Sequence, residues 1–142
     1  MDTTRTGADL AALLDAIGYS VAAAAKEIGL STMYVAKYEL EADAVGNRAY
    51  RRIWEWADKA MKRHERDVAR VIRTALDEYE LLHGRAPDVV TLVWLKRGER
   101  DSQDRPAEPH NAVMRDAAAI LRDNGQRVRF TYLAAAQPGD IQ

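Results

Sequence analysis

The chain has 142 residues, 47% hydrophobic and 30% charged, with a net charge of −1, so it can bury a real core as one domain or two small ones. Zero cysteines exclude a disulfide framework and thiolate chemistry and suit a reducing interior. No apolar run approaches the ~20 residues needed to span a bilayer, and the opening MDTTRTGADL has neither the basic start nor the apolar centre of a signal peptide; a cytoplasmic protein without membrane contact is expected.

In chain order, residues 1–6 read as a disordered arm. Thr6 or Asp9 can begin a first helix that runs to about Ile17 and carries Leu10, Leu13 and Ile17 on one apolar face. Gly18, Tyr19 and Ser20 lead into a second helix, about Val21–Ile28, and Ser31 is placed to cap a third, about Thr32–Glu41. The two patterns meet at Gly29. Ala25, Ile28, Leu30, Val35 and Tyr38 fall where two helices face one another across a tight turn, and Ala25 is small enough for the next helix to cross close above it. That is a helix-turn-helix arrangement, whose second helix normally lies in the major groove of DNA.

From Leu10 to Glu39 the chain resembles the phage-repressor (Cro/cI, XRE-like) helix-turn-helix family. Leu13, Gly18, Ser20, Ala25, Ile28, Gly29, Leu30, Ser31, Val35, Tyr38 and Glu39 carry the resemblance. One position departs from it: Val21 stands where family members usually have a glutamine that holds a backbone phosphate. The resemblance implies that Thr32, Met33, Ala36 and Lys37 point outward and read bases, with Tyr34 at the flank. Lys37 can donate to guanine O6 or N7, and the methyl-bearing side chains can meet thymine methyls. Ser31 and Tyr34 are better placed for phosphate, Ser20 joins the DNA-contacting set, and Glu39 is structural.

After the link Leu40–Gly46, Asn47 is a good helix cap. From Arg48 to His83 there is neither Gly nor Pro, and apolar residues recur at steps of three and four. Gly84 terminates the pattern, with Pro87 just beyond. Such a helix would be about 54 Å long at ~1.5 Å per residue, and the polar run Lys62–Asp67 is where it would divide. Arg48–Arg73 holds nine basic residues against four acidic ones. Arg48 and Arg51 therefore join the phosphate-facing set, although a charge run is as often a solvated face. Ile53, Trp54 and Trp56 are expected against the helix-turn-helix. The later stripe, Val68, Val71, Ala75 and Tyr79, is expected to pair with its copy in a second subunit. His64 lies within the stripe and reads as a satisfied structural histidine.

Beyond Pro87, Val89–Leu95 is a β-branched run that reads as a buried strand. A charged loop over 96–109 precedes an Ala-rich helix from Asn111 to Asn124. The segment Arg127–Leu133 then alternates, with Val128, Phe130 and Tyr132 on one face and Arg127, Arg129 and Thr131 on the other. Two strands make a marginal sheet in water, so Leu92, Val128, Phe130 and Tyr132 are further dimerisation candidates. The expected fold is mainly α with a small α+β C-terminal part. Its divisions are a helix-turn-helix domain (1–46), a long connecting helix (47–84), a strand-helix-strand assembly module (85–134) and a flexible tail (135–142).

Tyr38-Glu39, Val45, Gly46-Asn47 and the later run His110, Asn111, Arg115, Ala117–Leu121 and Gly125 are also similar to the anti-CRISPR-associated autorepressors of phages. That resemblance implies a homodimer repressing its own operon on an inverted repeat, and RNA binding has been associated with some members. Catalysis finds little support. His64, His83 and His110 show no metal spacing, His110 beside Asn111 reads as a helix cap, and no glycine-rich phosphate loop is present. No metal or cofactor is expected. The expected function is a dimeric, operator-specific transcriptional repressor. The alternatives are an antitoxin or partner-binding adaptor that holds another protein through residues 85–133, and an RNA-binding regulator using the Arg48–Arg73 face.

Overall fold

A computed structural model describes residues 5–142; most of the expected N-terminal arm, residues 1–4, lies outside the described residues. The architecture is mainly helical with a small two-stranded parallel sheet. The chain divides into two compact units, Met1–Arg63 and His64–Gln142. The border falls inside a helix rather than at the expected joints after residues 46 and 84. Among the described residues no single helix is long and apolar enough to cross a membrane.

In the first unit, helix α1 spans Gly7–Ile17 and is closed by a capping box. The Thr6 hydroxyl accepts from the Asp9 N–H at 3.2 Å, and the Thr6 N–H donates to the Asp9 carboxylate at 2.8 Å. The arm is ordered by this point. Arg5 pairs with Asp58 at 2.7 Å, its guanidinium lies 4.7 Å from the Trp54 ring centroid, and its N–H donates to the Tyr50 hydroxyl. Helices α2 (Val21–Ile28) and α3 (Thr32–Glu39) follow. Helix α4 is Asn47–Arg73, unbroken at Lys62–Asp67. Its first half sends Tyr50, Ile53, Trp54 and Ala57 into a core with Leu10, Leu14, Ala24, Ala25, Ile28, Val35 and Tyr38, with Trp56 against the edge. Ile53, Trp54 and Trp56 thus meet the partners their spacing predicts.

In the second unit, the helix leaves regular geometry later than expected, in a π turn at Thr74–Glu78, and ends with α5 (Tyr79–His83) and Gly84 at φ 70°. Strand β1 (Val90–Trp94), helix α6 (Ala107–Asp123) and strand β2 (Val128–Tyr132) form a parallel crossover with Leu92 opposite Phe130. Val68, Val71, Ala75 and Leu92 pack with Val113, Met114, Ala117 and Leu121. These four dimerisation candidates are therefore core residues of their own chain. The partner that the α4 stripe needs is α6, so a second subunit is not required to cover it. Tyr79 is half-buried, its ring 4.2 Å from His83, and Leu82 is 81% exposed.

Two further expectations change. Helix α6 begins at Ala107, four residues before Asn111, because Pro106 sits at its N-cap and Pro109 in its first turn. There a missing N–H breaks no helical bond. His110 is consequently fully buried rather than a cap. The tail is also held. The Ile141 N–H donates to the Thr91 carbonyl at 3.0 Å and its carbonyl accepts from the Val93 N–H at 2.8 Å. β1 is thus flanked by β2 on one edge and Ile141 on the other.

Candidate nucleic-acid interface

The turn between α2 and α3 is built by local hydrogen bonds. The Ser20 hydroxyl accepts from the Ala23 N–H at 3.0 Å and the Ser31 hydroxyl from the Tyr34 N–H at 3.1 Å, so each helix is N-capped. Gly29 ends α2 at φ 85°, a left-handed conformation that favours glycine. The N–H groups of Gly29 and Leu30 both reach the Ala25 carbonyl, at 2.9 and 3.0 Å. Ala25 and Val35 are fully buried between the helices and Tyr38 nearly so. With those positions facing inward, the 3.6-residue period turns the other side of α3 to water. Thr32, Met33 and Lys37 are exposed, Met33 by 69%, while Ala36 and Tyr34 are half-buried.

Two of these side chains have partners. Lys37 Nζ lies 3.3 Å from the Asp43 carboxylate. The Tyr34 hydroxyl accepts from the Gly46 N–H at 3.3 Å, which leaves its own proton to donate. Arg48 and Arg51 are exposed on the first turns of α4. Arg52 is different, since its guanidinium donates to the Ile28 carbonyl at 2.7 Å and to the Gly29 carbonyl at 3.4 Å. It closes the C-terminus of α2, satisfying carbonyls that the helix leaves open. The sequence offered only a basic run at this point.

Behind α3, the Tyr38 hydroxyl accepts from the Trp54 indole N–H at 3.0 Å and donates to the Arg5 carbonyl at 3.3 Å. Burial pushes the Tyr38 phenol up, and the Trp54 hydrogen bond opposes this without cancelling it. Gly7 meets the end of the same helix. A Cβ there would stand 1.9 Å from the Tyr38 carbonyl oxygen and 2.7 Å from that of Glu39. Both contacts lie far apart in sequence, and no local pattern announces them.

The remaining polar clusters belong to the second unit. Asp101, with its side chain 1% exposed, accepts from four donors. One oxygen takes the N–H groups of Gln103 and Arg105, each at 2.9 Å. The other takes Arg105 Nε at 2.8 Å and His110 Nδ1 at 3.0 Å. The second nitrogen of His110 faces the Val93 carbonyl at 2.8 Å, so both ring nitrogens meet acceptors, and Arg105 also reaches Asp67. His64 is satisfied by Asp116 at 2.6 Å. Asn111 bonds both the N–H and the C=O of Leu95, each at 2.9 Å, and so continues the strand as a side chain. Among the described residues no three His, Cys, Asp or Glu side chains converge to hold a metal ion. Of the other dimerisation candidates, Val128 is half-buried, while Phe130 and Tyr132 are 37% and 53% exposed. The chain matches no family model and no curated protein.

Proposed function

We propose that the chain is a dimeric, sequence-specific DNA-binding repressor in which α2 and α3 are a helix-turn-helix and α3 enters the major groove. The observation that carries this reading is the sidedness of α3. Val35 and Tyr38 are buried while Thr32, Met33 and Lys37 face water, on a helix whose start is capped by Ser31. In this reading Thr32, Met33, Ala36 and Lys37 meet base edges, and Ser20, Ser31, Tyr34, Arg48 and Arg51 meet phosphates. The target is an inverted repeat upstream of the protein's own operon, as in the phage autorepressors it resembles. The test is a footprint on that DNA at stated salt, followed by Lys37→Ala. Loss of about 1–3 kcal/mol on one short palindrome is expected, with the oligomeric state unchanged. An unaltered gel shift removes Lys37 from base reading.

A second reading has one observation in its favour. Arg48, Arg51, Lys59, Lys62, Arg63, Arg66 and Arg73 are all exposed along α4, which suits a phosphate backbone of either nucleic acid. Tighter binding to the protein's own transcript than to the upstream duplex selects RNA.

A further inference from the structure

The sheet of the second unit has one edge that is closed and one that is open. Val90 donates to the Arg127 carbonyl, so in this parallel register the backbone groups of Arg127, Arg129 and Thr131 face β1. Those of Val128, Phe130 and Tyr132 therefore point away from the sheet. The opposite side of β1 is taken by Ile141. Among the described residues, no hydrogen bond reaches the outward groups of Phe130 or the Tyr132 N–H, while the Tyr132 carbonyl closes the tight turn Leu133–Ala135. The Val128 carbonyl is met only by the Arg122 guanidinium at 3.2 Å, an exposed contact. An edge of this kind is a template for another strand.

The side chains narrow the choice of strand. Trp94, Phe130 and Tyr132 border an apolar recess of about 340 Å³, with Trp94 and Phe130 edge to face at 5.3 Å. Both cations beside it are already engaged, Lys96 over Tyr132 at 4.8 Å and Arg122 over Phe130 at 5.7 Å.

We infer that β2 pairs antiparallel with β2 of a second copy of this chain, with Phe130 on the two-fold axis. The dimer itself is taken from the DNA-reading proposal above; the edge, the register and the axis residue are new. This register sets Phe130 against Phe130 and Val128 against Tyr132, so the Phe130 groups meet one another and the Tyr132 N–H meets the Val128 carbonyl. The Val128 N–H meets the second lone pair of the Tyr132 carbonyl, whose first closes the turn Leu133–Ala135. It also sets Arg129 against Thr131. A slip that brought Arg129 onto the axis would oppose two like charges, which disfavours it. The Tyr132 N–H of the second copy replaces Arg122 at the Val128 carbonyl. The two marginal sheets become one continuous sheet with Ile141 at each end, and the recess lies beside the seam.

The axis position gives a test that other positions do not. In sedimentation of the full chain, Phe130→Lys alone and Phe130→Glu alone are each expected to raise the dimer dissociation constant at least about thirtyfold. Mixing the two variants restores a dimer, because opposite charges then meet on the axis. Where either variant fails to fold, Phe130→Cys supplies the answer in a chain with no other cysteine. Opposed Cα atoms about 5.5 Å apart lie within disulfide reach, so mild oxidation yields a covalent dimer, whereas Ile120→Cys on exposed α6 does not. A wild-type chain that stays monomeric, a dimer indifferent to both charges, or a Phe130→Cys dimer that does not cross-link overturns the inference. Binding of the Phe130→Lys variant to a single labelled half-site is read separately. Lost half-site binding by the folded wild type counts against DNA reading, and retained binding without the predicted dimer counts against the β2 seam alone.

Discussion

Asp101→Asn isolates the buried polar cluster of the second unit. The substitution keeps size and shape but turns one carboxylate oxygen into a donor. If the retained oxygen keeps the Gln103 and Arg105 N–H groups, the new amide faces Arg105 Nε, a donor left without its acceptor there. It also faces His110 Nδ1, which accepts the amide proton once the imidazole carries its own on the nitrogen facing Val93. Each buried partner left unmet costs ~1–3 kcal/mol. A destabilisation of about 1–3 kcal/mol follows for the one donor left unmet, eased because Arg105 still holds Asp67. Burial by itself would push the Asp101 carboxyl up. The hydrogen bonds from the Arg105 N–H, His110 and the Arg105 guanidinium, with the guanidinium charge, outweigh it and hold the group below the usual carboxylate range. A carboxylate depressed in the folded state stabilises above its ordinary value of about 3.9. That contribution fades as pH falls through the folded value. The gap between wild type and variant is therefore expected to be full at pH 5 and smaller at pH 3. Urea unfolding is to be followed through exchange protection of the β1 amides, which reports the second unit apart from the first. A gap under about 1 kcal/mol, or one equal at both pH values, refutes the reasoning.

Three more outcomes are expected. Gly7→Ala should lower the melting temperature although alanine is the better helix former by ~1 kcal/mol, because the new Cβ meets two backbone oxygens that cannot swing aside; a higher melting temperature removes the close approach. Tyr38→Phe leaves the buried Trp54 indole N–H without its acceptor and should cost about 1–3 kcal/mol in denaturant unfolding read by tryptophan fluorescence. Asp43→Asn removes the carboxylate that holds Lys37; under the proposed DNA-reading function it should tighten binding to the upstream inverted repeat up to about fivefold at low salt, with the gain shrinking as salt rises.

How much could be read in the chain depended on how far apart the interacting groups lie. Ser20, Ser31 and Gly29 act on backbone three or four residues away, and they were legible together with all three short helices. The stripe Val68–Ala75 was legible as apolar, but what covers it was not. A helix face says that it needs a partner, and α6 lies about forty residues further on. The start of α6 was missed because residues 96–109, with Pro106 and Pro109, read as a charged loop, while proline in a first turn is tolerated. Arg52, Gly7 and Asn111 matter through contacts to carbonyls or amides of another element, and nothing in their neighbours marks them. The fully buried His110 looked like a surface cap for the same reason, as its partners Asp101 and Val93 become neighbours only when the loop closes.

The π turn at Thr74–Glu78 also has a consequence for the residues beyond it. One extra residue in a helix rotates everything downstream by about 100° relative to the regular spiral. Leu82, in phase with Val68 and Ala75 by counting along the sequence, emerges instead into water beside Leu81. A heptad count carried across that turn assigns every later position to the wrong side, so any attempt to graft or extend this helix must restart its numbering at Tyr79.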